Sequence, residues 1–217
     1  MKNCELVIFD LDGTLLDTSE GIRKSVGYVI DTLNLPKISE DVLRTFIGPP
    51  MQKSFERVFG MSEEEGRKAA DLFRDRYKDG DVLLATPYNG IFETIHELEK
   101  RGIKTAVATY KRQDYADAIL KHFGFDKAVD VICVCDFDGK FTKKDIIRNA
   151  VDALGVTDIG TVVMVGDSDN DAAGAAQLGM AFIGVTYGFG FADKEDVDAF
   201  DNIGCAATCK EIVRYVI

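Results

Sequence analysis

The sequence predicts an α/β protein: a core of parallel strands flanked by helices, interrupted after its first strand by an all-helical segment. Three observations lead there. Short apolar, β-rich runs at residues 6–9, 105–108, 129–134, 161–165 and 181–185 alternate with helix-length amphipathic stretches. Apart from Thr105, Asp130 and Thr161 at or near their starts, the runs are continuously apolar instead of alternating with polar residues, as strands buried on both faces of a parallel sheet are. Between residues 19 and 84 no such run occurs, and only helical spacing of apolar residues is found.

The elements follow in order. The first run ends at Phe9 and passes into Asp10-Leu11-Asp12-Gly13-Thr14, an acidic turn sequence. The insert, placed at residues 17–85, carries helical patterns at 22–33, 40–46 and 63–77, and contains Ile47-Gly48-Pro49-Pro50, where a helix cannot continue. The core then comprises residues 1–16 and 86–217, with helices expected at 90–100, 113–123, 144–154 and 171–178. Gly102, Gly124, Gly155 and Gly179 each stand just past one of them, the place where a left-handed residue ends a helix.

With 217 residues, 46% of them hydrophobic and 29% charged, the chain can bury a full core. Its net charge of −11 disfavours a nucleic acid polymer or an anionic membrane as partner. The first apolar run is cut early by Asp10, too short for a secretory leader, and no run approaches the length of a membrane span. The expectation is a cytoplasmic protein, monomeric or homodimeric. Five cysteines in no regular framework suit reduced thiols. Cys133-x-Cys135 and Cys205-x3-Cys209 are read as buried residues, because strand alternation points Cys133 and Cys135 to opposite faces.

Ligands of open parallel sheets bind at the carboxyl ends of the strands, so what each strand ends in matters. The first ends in Asp10 and Asp12, the second in Thr109 with Lys111 beyond, and the fourth in Gly166-Asp167 with Asp171 four residues on. Singly, each reads well as a turn or a helix cap. Together they bring at least three carboxylates to one edge, where they repel unless a cation neutralises them, and hard oxygen donors of this kind suit Mg2+. Other chemistries have little to work with. His96 and His122, the only histidines, both fall in helical patterns, which leaves a Ser-His-Asp arrangement without a base. The glycine-rich stretch 184–190 lacks the Lys-Ser pair of a P-loop.

Asp10-Leu11-Asp12-Gly13-Thr14, then Thr109, then a lysine before a helix, then Gly166-Asp167-Ser168-Asp169-Asn170-Asp171, in that order, resemble the haloacid dehalogenase-like superfamily of phosphatases. The resemblance covers nearly the whole chain. The position of the insert resembles the helical-cap subfamily, and Phe46-Ile47-Gly48-Pro49-Pro50-Met51 with Gly184-Val185-Thr186-Tyr187-Gly188 resembles its phosphoglycolate-phosphatase-like branch. The resemblance implies a Rossmann-like parallel core carrying a small helical cap domain. It implies Asp10 as nucleophile, forming an aspartyl-phosphate, and Asp12 as general acid and base. It also implies Mg2+ held by Asp10, Asp12 through its backbone carbonyl, and Asp167, with Asp171 in support. Thr109 and a lysine are then the groups that bind the substrate phosphate. Lys140, Lys143 and Lys144 all precede the helix, and spacing back from Ala153-Leu154-Gly155 favours Lys143.

Two features depart from the pattern. Tyr110 stands between Thr109 and Lys111 where Asn or Ser is commoner, which bears on pocket shape and not on Thr109. Asp136-Phe137-Asp138-Gly139-Lys140 repeats the opening D-x-D-G but lacks the following hydroxyl, and is taken as a structural turn. The activity so implied is Mg2+-dependent hydrolysis of a small phosphorylated metabolite, phosphoglycolate or similar. The alternatives are a nucleotidase, pyrophosphatase, sugar-phosphate phosphatase or phosphomutase on the same core, and a non-catalytic binding protein of the same fold. Thr45, Gly48 and Lys53 read first as ordinary surface of the insert and second as contacts to a leaving group.

Overall fold

The computed structural model describes residues 4–135 and 140–217. Two compact units are formed, one from Met1–Asp17 with Pro87–Ile217 and the other from Thr18–Thr86.

In the first unit, β1 (Leu6–Phe9) is fully buried, as its four consecutive apolar residues require. Two short strands, β2 (Leu16–Asp17) and β3 (Thr86–Pro87), form a separate two-stranded sheet. The helix α5 (Ile91–Lys100) leads into β4 (Lys104–Arg112), followed by α6 (Gln113–Phe123), α7 (Phe125–Ala128), β5 (Val131–Cys135) and α8 (Lys143–Ala153). The chain continues through β6 (Val162–Gly166), α9 (Asp169–Leu178), β7 (Ala181–Val185), α10 (Lys194–Asp198), β8 (Gly204–Ala206) and α11 (Cys209–Val216). Among the described residues, six strands make one sheet in the order β5-β4-β1-β6-β7-β8, every neighbouring pair parallel.

Alternation divides the strand side chains between two layers. Leu6 and Ile8 of β1, Ala106 and Ala108 of β4, Val162 and Met164 of β6 and Phe182 of β7 join Ile146, Ile147 and Val151 of α8 and Ala172 and Ala175 of α9 in one core cluster. Val7, Phe9, Val107, Val163 and Val165 are buried on the opposite side, where α5 packs on β4 and on α11. Thr94 of α5 fixes that contact by donating to the carbonyl of Cys209 at 2.9 Å.

Four sequence expectations need correction. The strand expected from Val129 begins at Val131, because Asp130 is spent on Thr105: its amide donates to the Thr105 carbonyl and its carboxylate accepts the Thr105 amide. The strand expected to close at Ala108 runs on to Arg112 through a register shift between Thr109 and Arg112. The third and fourth helices start earlier than apolar spacing suggests, at Lys143 and Asp169, because Thr142 and Ser168 cap them. The elements α3 (Met51–Phe59), α10, β8 and α11 were not legible as apolar runs. No helix of the described residues is long and apolar enough to cross a membrane.

The second unit holds α1 (Ser19–Thr32), α2 (Glu40–Arg44), α3 (Met51–Phe59), α4 (Glu63–Lys78) and a 3-10 turn at Asp81–Leu83. Here α4 packs on both α1 and α3, with Phe46, Phe55, Ala69, Ala70 and Phe73 in the interior. The Phe46 and Phe55 rings meet edge to face at 5.1 Å. Asp81 ties the unit together. Its carboxylate is buried and accepts from Ser25 of α1 at 3.1 Å and from Arg76 of α4 at 2.8 Å, with Lys24 at 3.2 Å. Both cations keep partial contact with water, so their loss of a partner is softened. Replacing Asp81 with alanine is therefore expected to cost about 1–2 kcal/mol of stability, read as an earlier urea midpoint.

Candidate active site

The strand order sets where a ligand can sit. From β1 the chain goes first to β4 on one side and later to β6 on the other, so the carboxyl ends of β4, β1 and β6 open a crevice at a switch in direction. Phe9 is level with Val107 and Val165. Asp10 is thus level with Ala108 and Gly166, and Thr109 and Asp167 stand one residue further out. The Asp10 amide still bonds to the Val165 carbonyl at 2.9 Å, which fixes its backbone in the sheet. Beyond it, the amides of Leu15 and Leu16 both return to the Leu11 carbonyl at 3.0 Å, turning the chain back. Gly13 takes the left-handed conformation in that turn, φ +83°, and a side chain there would overlap the Asp167 carboxylate.

Lys143, at the start of α8, is 4% exposed. Its Nζ donates to Asp10 Oδ1 at 2.5 Å and lies 2.7 Å from Asp171 Oδ1. The other oxygen of Asp171 accepts from the amide and hydroxyl of Ser168, at 3.1 and 2.7 Å, as the cap of α9. One Asp167 oxygen accepts from the amides of Phe189 and Gly190 at 2.7 and 3.1 Å. Those amides reach it because Gly188 has no side chain, which would overlap both Asp167 and the Gly13 carbonyl. Ligand oxygens of Asp10, Asp167 and Asp171 lie within 4.8 Å of one another, the one such group among the described residues.

Three buried carboxylates share a single ammonium. Burial pushes the Asp10 carboxyl up to about 8, against the pull of Lys143 and with the charges of Asp171 and Asp167 adding to it. Burial, then Asp171, pushes Asp167 up to about 7, against its two amide donors. For Lys143 burial acts the other way, but Asp10 and Asp171 prevail and hold it charged. The cluster is short of positive charge, and its donors are all hard oxygens. A divalent cation such as Mg2+ fits both facts.

The side chain of Asp12 lies outside this cluster. Both its oxygens accept from Lys111 Nζ, at 2.8 and 2.9 Å. Thr109 is buried, and its Oγ1 accepts the Lys111 amide at 3.1 Å, which leaves its own proton to donate elsewhere. Tyr110 Oη accepts the backbone amide of Lys143 at 2.7 Å.

Of the lysines weighed from the sequence, Lys143 is brought to Asp10, whereas Lys140 and Lys144 are exposed. Asp169 is exposed at the start of α9, and Asp17 lies outside the carboxylate cluster. The second acidic turn, residues 136–139, lies outside the described residues. Thr45 accepts from Arg57, and Lys53 pairs with Glu56. Sequence reasoning missed the pairing of Lys111 with Asp12, the hydroxyl of Tyr110, and the role of Gly188 and Gly190 in presenting amides to Asp167. The only signal for the last was the glycine spacing itself.

The raised carboxyls give a signed prediction. The folded, metal-free protein holds protons on Asp10 and Asp167 that the unfolded chain releases near its ordinary carboxyl value. Their contribution to stability is full below about pH 4 and is lost as pH rises through about 7 to 8. In chelator the melting temperature should fall between about pH 5 and 8. Mg2+ should restore it at the upper end, and Asp10→Asn should flatten the slope.

Residues 7–185 match the model of the haloacid dehalogenase-like hydrolase family. The chain is 35% identical over 189 residues to a 5′-nucleotidase of Pseudomonas aeruginosa, covering 87% of this chain and 85% of the relative. It is 32% identical over 191 residues to a phosphoglycolate phosphatase of Agrobacterium fabrum, covering 85% and 81%. Among solved structures, a haloacid dehalogenase-like family hydrolase from Streptococcus pneumoniae superposes with a TM-score of 0.91 at 25% identity, covering 100% of both chains. Protein tyrosine kinase A of Mycobacterium tuberculosis superposes with a TM-score of 0.84 at 32% identity, covering 100% of this chain and 99% of that one. With its acidic strand ends, its buried lysine and this family match over most of its length, the chain belongs to the haloacid dehalogenase-like hydrolases.

Proposed function

We propose that the protein is a Mg2+-dependent phosphatase that hydrolyses a small phosphate monoester, phosphoglycolate or a close analogue, by way of a phosphoryl group carried on Asp10. The observation that carries the proposal is Asp10 itself: a buried carboxylate at a strand end, held by Lys143 beside Asp167 and Asp171.

In the first step an Asp10 oxygen attacks phosphorus and the bond from phosphorus to the ester oxygen breaks, while Asp12, turned from Lys111 and carrying a proton, gives that proton to the departing oxygen. In the second, water attacks the same phosphorus, Asp12 takes the water's proton, and the bond to Asp10 breaks to release orthophosphate. Thr109 donates its hydroxyl to a phosphoryl oxygen, and Lys143 neutralises Asp10 so that it can approach an anion. Lys111, which lies against Asp12, adds a second positive charge at the crevice. Asp10, Asp167 and the Asp12 carbonyl would hold Mg2+ with Asp171 in support, and the ion would supply charge that offsets the phosphoryl oxygens. The helical unit is proposed as the cap that governs which leaving group is accepted.

A nucleoside 5′-monophosphate is the second reading of the substrate, supported by the similarity to a 5′-nucleotidase. Initial rates on phosphoglycolate, nucleoside monophosphates, pyrophosphate and sugar phosphates decide between them, and the proposal expects the highest kcat/KM for phosphoglycolate. Asp10→Asn should lose turnover by at least about 10³-fold with the fold intact. Asp12→Asn should lose about 10²- to 10⁴-fold. Activity that survives Asp10→Asn or exhaustive chelation would contradict the assignment.

A further inference from the structure

We propose that Tyr110 is a positioning residue for Lys143: it ties the first turn of α8 to the strand that carries Thr109, and so fixes where the Lys143 ammonium meets Asp10 and Asp171. The inference rests on the proposed role of Asp10 and extends it to a residue outside the acidic cluster.

Its basis is a local irregularity in the sheet. Thr109 of β4 pairs with Val134 of β5, but the next pair is Arg112 with Cys135, so Tyr110 and Lys111 are extra on β4. An insertion of this kind bends a strand and re-aims its side chains. Tyr110 is 39% exposed, so its ring is not there to fill the core. Its hydroxyl oxygen instead accepts the Lys143 amide at 2.7 Å, and its ring centroid stands 5.7 Å from Lys143 Nζ, within range of a cation–π contact.

The start of α8 shows why that acceptor matters. Thr142 and Asp145 form a reciprocal cap, in which the Thr142 hydroxyl accepts the Asp145 amide and the Asp145 carboxylate accepts the Thr142 amide. The Ile146 amide bonds to the Thr142 carbonyl. The Lys143 amide occupies the first helical position, which has no acceptor within the helix. Tyr110 supplies one from a different element. Lysine carries its charge on a flexible four-carbon stem, so its reach to two carboxylates at once, 2.5 and 2.7 Å away, depends on where its backbone is held. The Tyr110 contact holds it relative to β4, the same strand that presents Thr109. Phosphate donor and nucleophile partner are thereby set in one frame.

The test is Tyr110→Phe, which keeps the ring and removes the acceptor. Kinetics on phosphoglycolate or p-nitrophenyl phosphate with Mg2+ are read beside hydrogen exchange of the Lys143 amide. The expected result is a melting temperature close to that of the parent, faster exchange at Lys143, and kcat lowered about tenfold with KM changed by less than about threefold, the size of one lost hydrogen bond acting on the chemical step. Unchanged kcat overturns the proposal, whether exchange and melting move or not, because the contact would then be structural only. Unchanged exchange at Lys143 overturns it as well. Failure of the catalytic reading looks different: the parent enzyme would release no orthophosphate from any ester, or Lys143→Ala would match it.

Discussion

Lys143 places one ammonium among three buried carboxylates, and the rest of the site depends on that imbalance. Two buried like charges at one strand edge cost far more in a dry interior than in water. The ammonium offsets part of the cost directly, through Asp10 and Asp171. What remains shows as carboxyls that hold their protons well above the ordinary range. Removing one partner of a buried ion pair typically costs about 3–5 kcal/mol, because the other charge is left stranded. The α/β framework therefore does more than carry these residues. Ile146 and Ile147 of α8 are sealed into the core cluster, so the helix that bears Lys143 cannot move away from the carboxylates without opening the core.

Precision of this kind comes from the sheet. Register on both sides of β1 puts Thr109 of β4 and Asp167 just past β6 within a residue of Asp10, and the backbone bond from Asp10 to Val165 carries that order past the last residue of β1. Small residues allow the carboxylates to approach. Gly13 and Gly188 leave the space in which Asp167 lies, and any side chain at either position would overlap it. Asp167 in turn accepts two amides with one oxygen. The site is crowded with backbone on one side and with acid on the other.

Much of this was legible beforehand, for identifiable reasons. Five of the six core strands announced themselves as apolar runs: burial on both faces leaves little room for polar residues in β1, β6 and β7, and β5, half-buried at the end of the sheet, is apolar all the same. β8 did not, because Gly204-Cys205-Ala206 is short and carries no β-branched residue. The aspartates were readable because acids gathered at the ends of the first and fourth predicted strands have no common structural explanation. Lys143 was narrowed from three candidates by helix spacing, and burial separates it from Lys140 and Lys144. Contacts that cross elements were not readable. Lys111 meets Asp12, 99 residues away, and Tyr110 meets the Lys143 amide, 33 residues away. Both follow from two extra residues in β4 that no local pattern reveals. Tyr110 was visible only as an unexpected aromatic between Thr109 and Lys111.

The proposed mechanism rests on Asp10 as the carrier of the phosphoryl group. It is tested most directly by mixing the enzyme with Mg2+ and a phosphate ester labelled in the phosphoryl group, quenching in acid within a turnover, and mapping the label by peptide mass spectrometry. Label is expected on the peptide that contains Asp10, acid-stable and lost on treatment with hydroxylamine. Turnover with no label on the chain, or label on any other residue, would contradict it.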